Sequence, residues 1–226
     1  MIAVVTGAGR GIGRAVAQSL AGRGCHVALL ARTGNELDET AHEIRARGGR
    51  AIVFPCDLTQ PSAIASATSR VLSELGVPAV VVNNAGVVQR SLVQETTDDE
   101  WNQVLQVNLT AAFQVTRAFL PAMLAAGAGR FVHIASISST LGTPKLSAYC
   151  ASKWGLVGFS KSLTEELRGT GLSSMCVMPG SVDTAMLEGS GLSPVMTPED
   201  VASAVTYAAL DAPLSMNGSA IEVFGP

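Results

Sequence analysis

The sequence predicts an α/β fold built on a doubly wound parallel sheet, in a single domain over 1–226. Three observations carry that expectation. Short, continuously apolar runs alternate with stretches of helical length along the whole chain. A glycine-rich turn, TGAGRGIG, separates the first apolar run from the first helical stretch. No Pro/Ser linker or shift in composition divides the 226 residues. Strands that are apolar at every position must be covered on both faces, and parallel neighbours need a crossover of helical length between them.

The first strand is read at IAVVT, followed by the glycines of 7–13 and a helix over 12–23. HVALLA is the second strand; it ends at Ala31, with Arg32 next and a helix over 34–47. AIVFPC is the third, with Asp57 after it and a helix over 61–75. AVVVN, the fourth, runs into NNAG at 83–86 and precedes a long helix over 98–126. RFVHIAS brings in Ser136 ahead of a helix over 147–169, and LSSMCVM leads to Pro179 and Gly180 and then a helix over 198–210. AIEVF closes the series. In sheets of this kind ligands bind beyond the carboxyl ends of the strands, near the point where strand order reverses. The distinctive residues follow the strands, so six strand ends are expected to face one crevice. No self-similar segment recurs at a period of 20–50 residues, which sets repeat architectures aside.

Composition excludes several classes of function. Hydrophobic residues make up 47% and charged ones 15%, enough to cover both faces of a sheet while leaving little surface for charge. A net charge of -3 without any run of Lys and Arg gives no footprint for nucleic acid. The N-terminal IAVV leads directly into the glycine turn, leaving no room for an export signal, and the apolar runs are read as too interrupted to span a bilayer. A soluble, cytoplasmic protein is expected. Cys25, Cys56, Cys150 and Cys176 are scattered without a CxxC pair, so reduced thiols are expected, with no disulfide framework and no metal site.

The glycines of TGAGRGIG permit a tight turn in which backbone N–H groups and a helix N-terminus approach a pyrophosphate, as in a Rossmann fold. The alternative is a strand-to-helix turn with no ligand, which loses ground in this βαβ context. Sheets that prefer NAD usually carry Asp or Glu at the end of the second strand, where it accepts from the ribose 2′-hydroxyl. Here Ala31 holds that place and Arg32 follows. A guanidinium holds a 2′-phosphate through forked, charge-assisted hydrogen bonds, and Arg10 in the glycine loop could close on the same group. The expected cofactor is NADP(H). In YCASKWG, Tyr149 and Lys153 lie one helical turn apart, on one face. By themselves, without Ser136 and the glycine loop, they read as a solvated surface pair.

Taken together these residues resemble the short-chain dehydrogenase/reductase family over nearly the whole chain. TGAGRGIG looks like its TGxxxGxG loop, NNAG its motif after the fourth strand, and YCASK its YxxxK, with Ser136 thirteen residues before Tyr149. Asn108 in VNLT matches the family's asparagine on the fourth helix, and PGSVDT at 179–184 is similar to its PGxVxT segment. The resemblance implies a catalytic set of Asn108, Ser136, Tyr149 and Lys153. Tyr149 would protonate the nascent alkoxide while Ser136 holds the carbonyl oxygen. Lys153 would bind the nicotinamide ribose and lower the phenol's pKa, and Asn108 would fix a water linking Lys153 to solvent. The implied cofactor contacts are Gly7, Gly9, Arg10, Gly11, Ile12 and Gly13 in the loop, Arg32 after the second strand, and Asp57 and Leu58 near the adenine. Asn84, Ala85 and Gly86 join them, with Tyr149, Lys153, Pro179, Gly180, Val182 and Thr184 towards the nicotinamide. Two places depart from the commonest pattern: only about a dozen residues separate Met186 from Pro198, where many relatives carry a longer lid, and NGSAIEVFGP lacks the Gly-Gly ending of typical ketoacyl reductases.

The activity implied is hydride transfer between NADPH and a small-molecule carbonyl, or the reverse with an alcohol. The leading substrate is a β-ketoacyl thioester or another small ketone; a 3-hydroxy acid is the alternative. From another class, a non-catalytic dinucleotide-binding sensor would need the glycine loop but not the proton donor, and an epimerase would need a larger C-terminal region. The resemblance also implies a homodimer or homotetramer through the helices at 98–126 and 147–169. Val87, Val88, Gln89, Gly142, Pro144, Leu146 and Met186 are candidates for the substrate wall. Ser138, Ser139 and Cys150 are read as loop or packing residues, His133 as a hydrogen-bonded core residue, His26 and His42 as surface, and Trp101 and Trp154 as helix-packing or interface residues.

Overall fold

In a computed structural model describing residues 1–225, seven parallel strands form one sheet in the order β3-β2-β1-β4-β5-β6-β7. They are β1 (Ile2–Thr6), β2 (His26–Ala31), β3 (Arg50–Pro55), β4 (Val80–Asn83), β5 (Gly129–Ile134), β6 (Leu172–Pro179) and β7 (Ala220–Val223). Every strand expected from the sequence is present, with ends shifted by no more than two residues. The helices are α1 (Gly11–Gly22), α2 (Gly34–Ala46), α3 (Pro61–Glu74), α4 (Asp98–Leu105), α5 (Ala111–Ala126), α6 (Ser147–Glu166) and α7 (Pro198–Thr206).

Successive strand residues point to opposite faces, and each face has its own helical layer. Ala3 and Val5 of β1 join Val27, Leu29, Val80 and Val82 under α1, α2 and α7. Val4, between them, joins Ala28, Leu30, Phe54, Val81 and Phe131 under α3, α5 and α6. That double coverage explains runs apolar at every position. Phe54, Phe119 and Phe131 are fully buried in the second layer; a side chain of that size stabilises by about 1.5–3 kcal/mol on burial.

The helix expected over 98–126 is interrupted. Between α4 and α5 the chain makes a π-helical turn at Gln106–Thr110. A π turn holds one residue more than an α turn, and such turns concentrate at functional sites. This one carries Asn108 inward, leaving it 1% exposed. The helical stretch Asp98–Ala126 is long and apolar enough, at mean hydropathy 1.3, to meet the criteria for a membrane span, which the reading of interrupted apolar runs overlooked. In this fold α5 lies on α3, β4 and β5. A capping box starts α4: the Thr97 hydroxyl accepts from the Glu100 N–H at 3.2 Å and the Glu100 carboxylate accepts from the Thr97 N–H at 2.9 Å.

Candidate active site

Strand order reverses between β1 and β4, and there the loops after these strands are joined to each other. The Thr6 hydroxyl accepts from the Asn84 and Ala85 N–H groups at 3.0 and 3.1 Å, and the Asn84 amide donates to the Thr6 and Gly7 carbonyls at 2.9 and 3.3 Å. Glycine is required by this closeness. Gly7 has φ +64, and a Cβ there would lie 2.9 Å from the Ala85 Cα; a Cβ on Gly13 would run into the Gly7 carbonyl. The N-terminus of α1 has no side-chain cap and no acidic residue in its first turn. Its orphan N–H groups and the glycine-lined approach therefore suit a pyrophosphate, and the residues present fit a bound dinucleotide.

A cleft of about 920 Å³ runs from this loop across the carboxyl ends of the strands. All the cofactor positions named from the sequence line it, as do Ser136, Tyr149 and Lys153. At the nucleotide end Arg32 is exposed and makes no salt bridge among the described residues. Asp57 Oδ1 accepts from the Thr59 N–H at 2.9 Å and its hydroxyl at 2.8 Å; these bonds, with a smaller contribution from the Arg32 cation, hold the carboxyl below its usual range. Arg10 lies 3.7 Å from Glu36, a residue the sequence reading did not single out. Glu36 belongs there because Gly9 lets α2 come close: a Cβ on Gly9 would sit 2.8 Å from the Glu36 Cβ.

At the other end Ser136 follows β5, and α6 presents Tyr149 and Lys153. The Lys153 ammonium is buried, donates to the Ile134 carbonyl at 2.7 Å and lies 5.7 Å from the centre of the Tyr149 ring. Burial pushes its pKa down to about 8, because the charged form loses hydration that one carbonyl replaces only in part. The Tyr149 phenol is shifted upward overall: burial outweighs the neighbouring Ser136 hydroxyl and the Arg90 charge, which both pull downward. A phenol held protonated is the state from which an acid begins. The Tyr149 and Lys153 carbonyls are held by Ser152 Oγ at 2.7 Å and Ser139 Oγ at 3.1 Å. Ser139 is thereby committed to α6, while the Ser138 N–H donates to the Ser136 hydroxyl at 3.1 Å.

Asn108 lies beneath the cleft rather than in its lining. Its Nδ2 donates to the Val87 carbonyl at 2.9 Å and to Ser152 Oγ at 3.0 Å, and its Oδ1 accepts from the Val87 N–H at 2.8 Å. Both amide hydrogens are used, so this side chain ties the loop after β4 to α6. Gly155 allows α6 to approach the π turn, since a Cβ there would lie 2.8 Å from Leu109 Cδ2. His133 is fully buried as expected but only half partnered: Nδ1 faces Asn83 Nδ2 at 3.2 Å, Nε2 has no hydrogen-bond partner among the described residues, and burial drives its pKa to about 3. Arg90, next to the wall candidates and itself lining the cleft, was also missed; its position just after Gln89, in the loop beyond a strand end, was the available signal.

A pH dependence follows from Lys153. Its positive charge stabilises a phenolate only while the amine is protonated, so kcat/KM for a reaction in which Tyr149 gives up its proton should fall as pH rises through about 8. Lys153→Arg, cationic at every accessible pH, should remove that descending limb even if the overall rate is lower. A pH–rate profile with the same limb in both enzymes would assign it to another group.

The sequence profile of the short chain dehydrogenase family matches residues 1–192. The chain is 33% identical to a 3-oxoacyl-[acyl-carrier-protein] reductase of Salmonella typhimurium, over 99% of this chain and 96% of that protein. It is 36% identical to estradiol 17-beta-dehydrogenase 11 of Pongo abelii, over 92% of this chain and 71% of that one. Among solved structures, a provisionally assigned NAD(P)-dependent gluconate 5-dehydrogenase from Beutenbergia cavernae, with NADP bound at low occupancy, superposes with a TM-score of 0.93 at 37% identity, covering 99% of this chain and 95% of that chain. A metagenomic short-chain oxidoreductase in complex with NADP gives 0.89 at 37% identity, covering 100% and 97%.

Proposed function

The chain belongs to the short-chain dehydrogenase family, and from that premise we propose that it is an NADPH-dependent carbonyl reductase, in reverse an alcohol dehydrogenase, whose leading substrate is a β-ketoacyl thioester or another small ketone. One observation carries the reading: Ser136 from the end of β5 and Tyr149 and Lys153 from α6 line the same cleft as the glycine loop. The NADP preference is supported by Ala31 followed by an exposed, unpaired Arg32 and by the NADP bound in the two solved relatives.

The reduced dinucleotide, when bound, supplies the hydride. The chain's residues manage the oxygen and its proton. Ser136 donates to the carbonyl oxygen and stabilises the charge that develops there. Tyr149 gives that oxygen its proton, and the Lys153 cation compensates the phenolate left behind. Asn108 fixes the geometry, holding α6 to the loop at Val87. The water-linking role implied for it by the resemblance is closed to its amide hydrogens, which are both committed.

A 3-hydroxy acid is the alternative substrate, favoured by one cation at the substrate end of the cleft, Arg90. A non-catalytic sensor has no use for a proton donor beside the nicotinamide position. A cytoplasmic homodimer or homotetramer accompanies the reading, supported by Trp101, Phe113 and Trp154, apolar residues exposed on α4, α5 and α6.

The test is NADPH oxidation against ketoacyl thioesters, short β-keto acids and aryl ketones. Turnover of at least one class is expected; tight NADPH binding with no turnover of any would favour the sensor. The panel also measures the lid. Residues 182–197 form no helix and fold back on themselves through one bridge, Val182 to Met196. So short a cover leaves few side chains to exclude large substrates, so aryl and long-chain ketones should keep kcat/KM within about tenfold of the small ones. A sharp cutoff at small ketones would show a closed site.

A further inference from the structure

The cations along the cleft differ in how they are used. Arg10 and Arg14, at the nucleotide end, face Glu36, Glu39 and Glu43, and Lys153 is held by the Ile134 carbonyl. Arg90 lies at the opposite end, and among the described residues no carboxylate lies within salt-bridge distance of it. Its side chain makes one hydrogen bond, from Nη2 to the Met186 carbonyl at 2.7 Å. That bond fixes the guanidinium between the loop after β4 and the cover segment 182–197.

The backbone beneath it is fixed as well. The Ser91 N–H donates to the Lys145 carbonyl at 3.0 Å, tying this loop to the segment that leads into α6, and the Gln89 amide donates to Glu100 Oε1 at 2.7 Å. Arg90 is therefore a positioned cation, with four of its five N–H donors uncommitted to protein among the described residues. Val87, Val88, Leu146 and Met186 add apolar surface to the lining of the same cleft. Its charge also reaches the Tyr149 phenol, whose ionisation it favours. A guanidinium placed this way suits a planar oxyanion joined by a short chain to the carbonyl that Tyr149 protonates.

We propose that Arg90 binds a carboxylate of the substrate, which narrows the small ketones of the proposed function to short oxo acids and, in reverse, the matching hydroxy acids, and ranks them ahead of the β-ketoacyl thioester. The proposal rests on the reading that this cleft reduces a carbonyl at Tyr149. In that reaction the substrate carbon gains the hydride from NADPH, the oxygen gains the Tyr149 proton, which solvent replaces, and the carboxylate is unchanged. A carrier-bound thioester holds its phosphates at the far end of a long arm and offers no anion near the reacting carbon, so the carboxylate is the group this cation fits.

Matched pairs of 2-, 3-, 4- and 5-oxo acids and their methyl esters provide the test. The parent should prefer one of the acids over its ester. Arg90→Gln should lower that acid-to-ester ratio of kcat/KM by roughly ten- to a hundredfold, mainly through KM, as expected for a charge-assisted contact. Arg90→Lys should restore part of it. Butyrate, which cannot be reduced, should bind the NADP-loaded parent in calorimetry and bind Arg90→Gln at least about tenfold more weakly. An unchanged ratio, acid and ester falling together as for a mere strap to Met186, or a thioester preferred without regard to Arg90 would each overturn the proposal. If no carbonyl is reduced at all, the reductase reading fails, while butyrate binding still reports on Arg90 separately.

Discussion

Tyr149→Phe should lower kcat by 10²- to 10⁴-fold while NADPH binds as before, the range a positioned general acid contributes. That loss corresponds to about 2.7–5.5 kcal/mol of barrier. The substitution removes one hydroxyl and keeps the ring, so α6 and the Lys153 chamber should remain in place. The structure sharpens the expectation. Burial holds the phenol protonated, and the aliphatic hydroxyls lining the cleft, Ser136 and Ser138 among them, are far too weak as acids to take its place. Single-turnover reduction with saturating NADPH would isolate the chemical step. A kcat within about tenfold of the parent would remove Tyr149 from the acid's role.

The second large effect concerns the cofactor. Arg32→Ala should reduce the NADPH-over-NADH preference by roughly ten- to a hundredfold, the loss of one charge-assisted contact of about 1.5–3 kcal/mol. Arg32 is the side chain to test because it is exposed and in no salt bridge among the described residues, whereas Arg10 is shared with Glu36 at 3.7 Å. An exposed pair of that kind contributes only about 0–1 kcal/mol, so a bound phosphate can draw Arg10 away, but with less net gain than Arg32 provides. Adding Ala31→Asp should carry the enzyme further towards NADH, because a carboxylate there repels the phosphate and accepts from the ribose hydroxyl. The measurement is kcat/KM for both cofactors at two salt concentrations, since screening weakens an exposed contact. A parent that favours NADH, or an Arg32→Ala variant with an unchanged ratio, would overturn the NADP assignment and leave that of Tyr149 standing.

What the sequence by itself determined were the features that local chemistry forces. In β4 the consecutive Val80, Val81 and Val82 are all buried, on alternate faces, and have to be apolar, so the strand's place in a two-sided sheet is written in consecutive letters. Gly7 and Gly13 stand where any side chain would collide with the facing loop or the turn itself, so the cradle is legible as glycines. Tyr149 and Lys153 share a face because helical geometry places i and i+4 together.

Only the tertiary structure decided what depends on partners distant in the chain. The π turn at Gln106–Thr110 leaves no pattern in QVNLT; it exists because Asn108 reaches Val87 and Ser152, neither of them near it in sequence. The upward shift of the Tyr149 phenol and the fall of Lys153 to about 8 come from burial, which one sequence of letters does not specify. Glu36 met Arg10 because α2 packs against Gly9, and Arg90 stands at the substrate end because the cover segment turns back to offer it the Met186 carbonyl. Spacing along the chain encodes periodic contacts within one element, whereas charge pairing and desolvation depend on which elements the fold brings together.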